Sequence, residues 1–262
     1  MNSTAGVGVL LREWREDRRL SQLAVSAATG VSTRHLSCVE TGRAKPSRDL
    51  VLHLARELDV SLRDQNQLLL AAGFAPTYSE HALDDPAMAP VLEVLADVLT
   101  QSEPNPAVIV DRHWNLVRAN AAAFWLCHDV APELLQPPAN IALLSLHPDG
   151  LAPHIENLDE YAQHVIHRLA RTAAASRDQQ LSDLVEDLRR LAPSSGGPRP
   201  NGADVSFAVP MRLTVDGQTL ALFSTIATFG TAVDITLAEV AIETFYPADA
   251  ATRNHLATRP WS

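Results

Sequence analysis

Cysteine is scarce in this chain: two in 262 residues, Cys38 and Cys127, with no CxxC spacing. That excludes a cysteine-based zinc site, fits a reducing compartment, and makes each thiol first of all a small hydrophobe. No apolar run approaches the ~20 residues that a membrane span requires, so no membrane partner is expected. The opening MNSTAGVGVLLREW has no cation ahead of its short apolar stretch, which argues against a secretory signal and for the cytoplasm. Sequence marks of catalysis are missing too. There is no HExxH and no GxSxG, and SSGG at 194–197 lacks the strand-to-helix setting of a nucleophile elbow. GVGVLL lacks the third glycine and the preceding strand of a dinucleotide fingerprint. Lysine is nearly absent as well: Lys45 is the single one, so the cationic chemistry belongs to arginine.

What remains is a soluble-type composition, 46% apolar and 20% charged, long enough for two cores. A formal charge of −10 would alone argue against nucleic acid as a partner. The charge is uneven, however. Residues 1–75 hold ten Lys and Arg against eight Asp and Glu, a balance of +2, and the remainder carries −12. A mildly basic first quarter joined to an acidic remainder is the asymmetry of a DNA-contacting module attached to something else.

That first quarter reads as five short helices. Val7, Leu10, Leu11 and Trp14 form a one-sided apolar stripe. Ser21 caps a second helix containing Leu23, Ala24, Ala27 and Ala28, and Gly30 ends it where a positive φ is needed. Ser32 caps a third, with Leu36 and Val39 inward and Gly42 at its end. Pro46 and Ser47 open a fourth, with Leu50, Leu54 and Leu58 inward, and a fifth runs from about Ser61 to Gly73. Helices two and three, joined by the turn Thr29-Gly30-Val31, must cross steeply, which is helix-turn-helix geometry. The tip of the second helix of such a pair meets base edges. Here the tip is Ser32, Thr33, Arg34 and His35, with Ser37 and Cys38 one turn on. Arg34 can fork onto guanine O6 and N7, whereas the ordinary role of His35 is a solvated one. Gln22 can reach a phosphate, and Arg43, Lys45 and Arg48 can reach the flanking backbone, positioning the protein without reading sequence.

The stretch SQLAVSAATGVSTRHLSCVETGRAKPS also resembles the phage-repressor/Cro-like helix-turn-helix family, with its small-residue turn and its Glu40, Gly42, Pro46 ending. The resemblance implies double-stranded operator DNA as a partner.

After Ala75 the character changes. PTYSEHALDDPAMAP, 76–90, reads as a linker, and 91–262 as a second, α+β domain. A helix at Val91–Leu99 leads to a strand through Val108 and Val110. Asp111-Arg112-His113 makes a turn, and a second strand carries Trp114, Leu116 and Arg118. Asn120 then hands over to a helix. A helical block, Leu158–Leu191, breaks near Ser176, and SSGGPRPNG is a loop. Val205–Val215 and Gln218–Thr228 form a hairpin about Asp216-Gly217. Ile235–Tyr246 reads as strand, although Glu239 and Glu243 at i, i+4 leave a helix open, and Ala248–Leu256 closes the chain as a helix. The result is a small antiparallel sheet with helices on one face, a place for an apolar cavity. Its candidate lining is Val108, Val110, Trp114, Phe124, Phe223 and Ile226, with Asn120 at the rim. Each has an ordinary core or capping role as its alternative.

Strand–turn–strand–Asn–helix is similar to the start of a PAS-type sensor. The segments LLLAAGFAPTY, PAVIVDRHWNLVRANAAA, LHPDGLAPHIENL and TFGTAVDITLAEVAIETFYPADAAT, with the first quarter, resemble the MmyB-like transcription regulators over almost the whole chain. That resemblance implies an actinobacterial-type repressor fold followed by a PAS-like ligand-binding domain. It also implies a homodimer on DNA and a small, largely apolar, acyl-like effector rather than a cofactor. Two other readings stay open: a second domain serving only dimerisation or a protein partner, and a metal or acid–base site. For the last, His164 and His167 share a helix face and His147, Asp149 and His154 lie nearby. No third ligand falls at matching spacing, and HPDG is simply a turn, so no enzyme and no metal are expected.

Overall fold

The computed structural model describes residues 6–193 and 209–261. It divides into two compact units: residues up to His81 with Thr231–Ala238, and Ala82–Gly230 with the residues from Glu239 on.

In the first unit five helices run in order: α1 (Val7–Asp17), α2 (Gln22–Thr29), α3 (Thr33–Glu40), α4 (Arg48–Glu57) and α5 (Leu62–Ala71). Ser21, Ser32, Ser47 and Ser61 each accept a hydrogen bond from the amide three residues on, at Ala24, His35, Leu50 and Asp64. Each such cap is worth about 1 kcal/mol. Gly30 and Gly42 hold φ at +72° and +73°, values at which a Cβ would be strained, and so end α2 and α3. Leu11, Trp14, Val25, Leu36, Val39, Val51, Leu54, Leu68 and Leu69 form the core. Helix α2 contributes only Val25 to it, and Leu23 is 70% exposed. At Gly8 an added Cβ would sit 2.1 Å from the Val39 carbonyl oxygen, so the absence of a side chain lets α1 and α3 touch backbone to backbone. The short helix α11 (Ile235–Ala238) also belongs to this unit. Asp234 caps it at the Leu237 amide and pairs with His81 Nδ1 at 2.7 Å.

The second unit starts with α6 (Ala89–Ser102), preceded by a 3-10 turn at Pro86–Met88 inside the expected linker. Then follow β1 (Ala107–Val110), β2 (Leu116–Ala119), α7 (Ala121–Leu126), α8 (Ile141–Leu146), α9 (Leu158–Ser176) and α10 (Gln179–Leu191). The last elements are β3 (Met211–Val215), β4 (Gln218–Thr228), β5 (Ala241–Pro247) and α12 (Ala250–Ala257). The five strands make one antiparallel sheet in the order β2-β1-β5-β4-β3. The β3–β4 hairpin turns through Asp216 and Gly217, both at positive φ, as a tight primed turn requires.

Four expectations need correction. Strand β1 is buried on both faces rather than alternating: Val108 and Val110 pack in a core with residues of α8, α9 and α10, while Ala107 and Ile109 pack with Leu95 and Leu99 of α6. Helices therefore cover both faces of the sheet at β1, not one. Trp114 is not in the second strand; it sits in the preceding turn at φ +67°. Ile235–Tyr246 is neither strand nor helix throughout, because α11 ends at Ala238 and β5 begins at Ala241. The expected loop SSGGPRPNG and the hairpin residues Val205–Ala208 lie outside the described residues.

Candidate functional site

Two places collect the candidate residues, one in each unit. The first is the tip of α3. Ser32 spends its hydroxyl on the His35 amide, 3.2 Å away, and this opens the helix with Thr33, Arg34 and His35 exposed on its first turn. Ser37 and Cys38 are half-buried a turn later, while Leu36 and Val39 anchor the opposite face. Arg43, Lys45 and Arg48 are exposed beyond the helix end. Arg43 Nε donates to Thr41 Oγ1 at 3.0 Å and Arg48 to Thr77 Oγ1 at 2.7 Å, which leaves both guanidiniums with further donors.

The acid in this stretch, Glu40, does not face the tip. Its side chain is 2% exposed and accepts Arg15 Nε at 2.7 Å, a second Arg15 nitrogen at 2.9 Å and Gln22 Nε2 at 2.8 Å. A carboxylate in the last turn of a helix opposes the helix dipole, and the bidentate guanidinium compensates it. One buried group thus ties α1, the start of α2 and the end of α3 together. Gln22, expected at a phosphate, has its amide nitrogen committed to this network. Arg15 was not singled out from the sequence, although it follows Trp14 on the buried stripe.

The second place is a cavity in the second unit, between the sheet and α7, α8 and α9. It measures about 80 Å³ and opens to solvent. Of the sequence candidates, Val108, Trp114 and Phe124 line it, and Phe124, 56% exposed, is at the surface. The other four are elsewhere. Val110 is in the packed core, Ile226 is 40% exposed, and Phe223 is half-buried on β4. Asn120 is a buried cap whose side chain serves the Ala123 and Ala107 amides and the Leu99 and Asn105 carbonyls.

The turn that delivers Trp114 is built by Asp111, whose Oδ1 accepts from the His113 and Asn115 amides at 2.8 and 2.9 Å. A left-handed tryptophan costs about 1–3 kcal/mol, sustained only where the surroundings over-determine it. The Trp114 ring lies 4.4 Å from the guanidinium of Arg168. Arg168 in turn pairs with Glu243 of β5 at 2.9 Å, and that carboxylate is 5% exposed. The Arg168 Nε is buried without a hydrogen-bond partner. Tyr161 and Ser145 complete this polar pole; burial, with Glu243 nearby, pushes the Tyr161 phenol well above its ordinary range. Burial also lowers His164, one turn before Arg168, with Arg168 adding to the effect. Cys127, on the cavity wall, is pushed up to about 11 by burial.

Arg168, Glu243, Tyr161 and Ser145 were all missed in the sequence. A signal was present: Tyr161, Val165 and Arg168 fall at i, i+4, i+7 on the apolar stripe of α9, an arginine where a hydrophobe belongs. Elsewhere, His164 and His167 border an open surface depression with Gln163 and Arg190. HPDG is a turn, with the Gly150 amide bonded to the His147 carbonyl. Among the described residues no three His, Cys, Asp or Glu groups are placed to hold a metal ion, and no helix is long and apolar enough to cross a membrane.

Comparison with known families also finds two parts, although the second match runs through Thr231–Ala238, which belong to the first compact unit. A family model described as the MmyB-like transcription regulator ligand binding domain matches residues 91–258, and a helix-turn-helix domain model matches residues 7–68. No curated protein matches the chain.

Proposed function

The chain belongs to the MmyB-like transcription regulators, and from that premise we propose that it reads a specific operator through α3 and is modulated by a small apolar effector in the second unit. These are the domains of a transcription regulator rather than of an enzyme family. The observation that carries the DNA half is the α3 tip: Thr33, Arg34 and His35 exposed together, with Arg43, Lys45 and Arg48 flanking and Glu40 neutralised inside. In this reading Arg34 specifies and the flanking cations position.

An eight-residue helix is about 12 Å long and meets only a few base pairs. The proposed active form is accordingly a homodimer in the cytoplasm, reading half-sites about one helical turn (~34 Å) apart. What supports the effector half is the cavity itself, since a solidly packed core at this position would favour a domain used only for dimerisation or a protein partner. The effector acts by differential affinity: it alters DNA binding only insofar as it prefers one of two arrangements of the protein.

Two measurements test the proposal together. Selection from random duplexes should enrich a two-fold symmetric site, and organic extraction of the purified protein followed by mass spectrometry should release a small apolar guest. A selected pool with no consensus would refute sequence-specific reading. Saturating the cavity without any change in operator affinity would refute the effector role.

A further inference from the structure

Thr228 of β4 pairs with Ala241 of β5, so residues 229–240 leave the sheet and return to it at the same place. The feet of this excursion stay in the second unit. Val240, 1% exposed, and Phe229 pack with Leu95, Leu99 and Ile109, and Glu239 meets Arg112 at 3.5 Å. Its tip, Thr231–Ala238, belongs to the first unit. There the Ile235 amide donates to the Ser79 carbonyl at 2.9 Å, and Asp234 accepts from the His81 amide at 3.3 Å besides pairing with the His81 ring. Helix α11 packs on α5. The receiving segment is itself fixed, because Asn66 Oδ1 accepts from the Thr77 and Tyr78 amides at 2.9 and 3.1 Å and the Tyr78 hydroxyl donates to Gln65.

Feet and tip are held by different forces. The feet sit in an apolar core, whereas the tip is held by a short row of polar contacts around Ile235, with Val233 75% exposed. Segments with few buried apolar contacts open first, so the tip has two states, docked and released, while the feet keep their place. Docked, the chain passes between the units three times, at His81–Ala82, Gly230–Thr231 and Ala238–Glu239; released, it passes once. Two residues, Glu239 and Val240, separate α11 from β5, and β5 carries Glu243 and Phe245 to the cavity wall. With consecutive Cα atoms fixed about 3.8 Å apart, so short a joint has little slack, and a shift of β5 is felt at α11. We infer that this excursion is the element through which the cavity acts on the DNA-binding unit. An occupant that shifts β5 changes the balance between docked and released tip, and with it the freedom of α3 to meet an operator. The inference rests on the reading of the second unit as effector-modulated, and coupling of this kind is reciprocal.

The test uses the full chain with no guest added, followed by hydrogen exchange. Phe245→Leu alters the packing of β5 at the cavity and should change exchange of the Ile235 and Leu237 amides about fivefold or more. Asp234→Asn weakens the latch and should change exchange across Ala241–Phe245 by a comparable factor. Four glycines inserted in each leg, after Gly230 and after Ala238, lengthen each joint by roughly 13 Å and should abolish both remote changes while leaving the local ones. On a duplex selected by the intact protein, Phe245→Leu should alter Kd about fivefold or more, and the insertions should return that ratio to about one. Exchange in α1 to α4 like that of the wild type identifies a folded variant, and Phe245→Met replaces Phe245→Leu should the latter not fold. Remote changes that survive the insertions, or that never arise in the chain with short joints, would overturn the inference and leave the effector reading standing. Failure to select any duplex would overturn the reading of α3, with the exchange measurements still deciding the joint.

Discussion

Glu40→Ala is the substitution whose outcome the structure determines most sharply. The side chain is 2% exposed and receives three hydrogen bonds, two from Arg15 and one from Gln22. Truncation leaves the Arg15 guanidinium, its side chain 10% exposed, with only the half-exposed Glu16 carboxylate at 3.4 Å, and breaking a buried pair from one side costs about 3–5 kcal/mol. Against a stability of roughly 5–15 kcal/mol for a domain, that is about a fifth or more of the total. For a unit of this size the melting temperature should fall on the order of 15–30 °C. Because a two-unit chain does not unfold in one step, the assay is hydrogen exchange resolved over α1 to α3 in the intact protein, not a single bulk transition. The double variant Arg15→Met, Glu40→Leu removes both charges and fills the space, and should recover most of the loss. A single variant costing under about 1 kcal/mol, or a double variant costing the sum of two damaging singles, would refute the argument that this pair locks the helices together.

Other consequences are equally open to measurement. Arg34→Ala should cost about 1–3 kcal/mol at one base position and relax discrimination there, whereas Arg43→Ala should weaken binding evenly and flatten its salt dependence. Equal losses on operator and random DNA for both would mean that α3 is misassigned. Asp178, which caps α10 and meets His113 Nε2 at 2.9 Å, is held below its ordinary value. Burial, the largest influence, opposes ionisation, and the Leu181 amide, His113 and Arg112 together outweigh it. A depressed carboxylate stabilises above its unfolded value near 3.8 and loses that contribution as pH falls through the folded one. Asp178→Asn should therefore be less stable at neutral pH and show a shallower acid loss in urea midpoints taken from about pH 2 to 6. Alkylation at mildly alkaline pH should spare Cys127, whose thiol is pushed up to about 11, and operator DNA should protect Cys38 on α3. Labelling of Cys38 that DNA leaves unchanged would count against α3 at the duplex.

The N-terminal helices were legible because local chemistry fixes them. Four serine caps and the glycines at 30 and 42 mark ends without help from tertiary structure. The exposed tip of α3 follows from Leu36 and Val39 facing inward. In the second unit, the hairpin at Asp216-Gly217 and the break at Ser176 were equally local. What could not be read were features created by distant partners. Glu243 spaced four from Glu239 suggests a helix face, and only its pairing with Arg168, 75 residues away, shows why an acid sits within a strand. Alternation places Trp114 in a strand, because nothing local announces that Asp111 folds the turn and holds a left-handed backbone. Val110 failed as a cavity residue for a related reason: alternation puts it on the same face as Val108, but the cavity reaches only one end of that face.

The cavity beside Trp114 bears on how long each copy of the protein survives. A guest bound there would add mass-action stabilisation, about 2.7 kcal/mol at a hundredfold excess over its Kd. Differences of this size change the standing level of a protein several-fold through proteolysis of the unfolded chain. On the proposed reading, effector supply would then set how many copies persist as well as what each copy does.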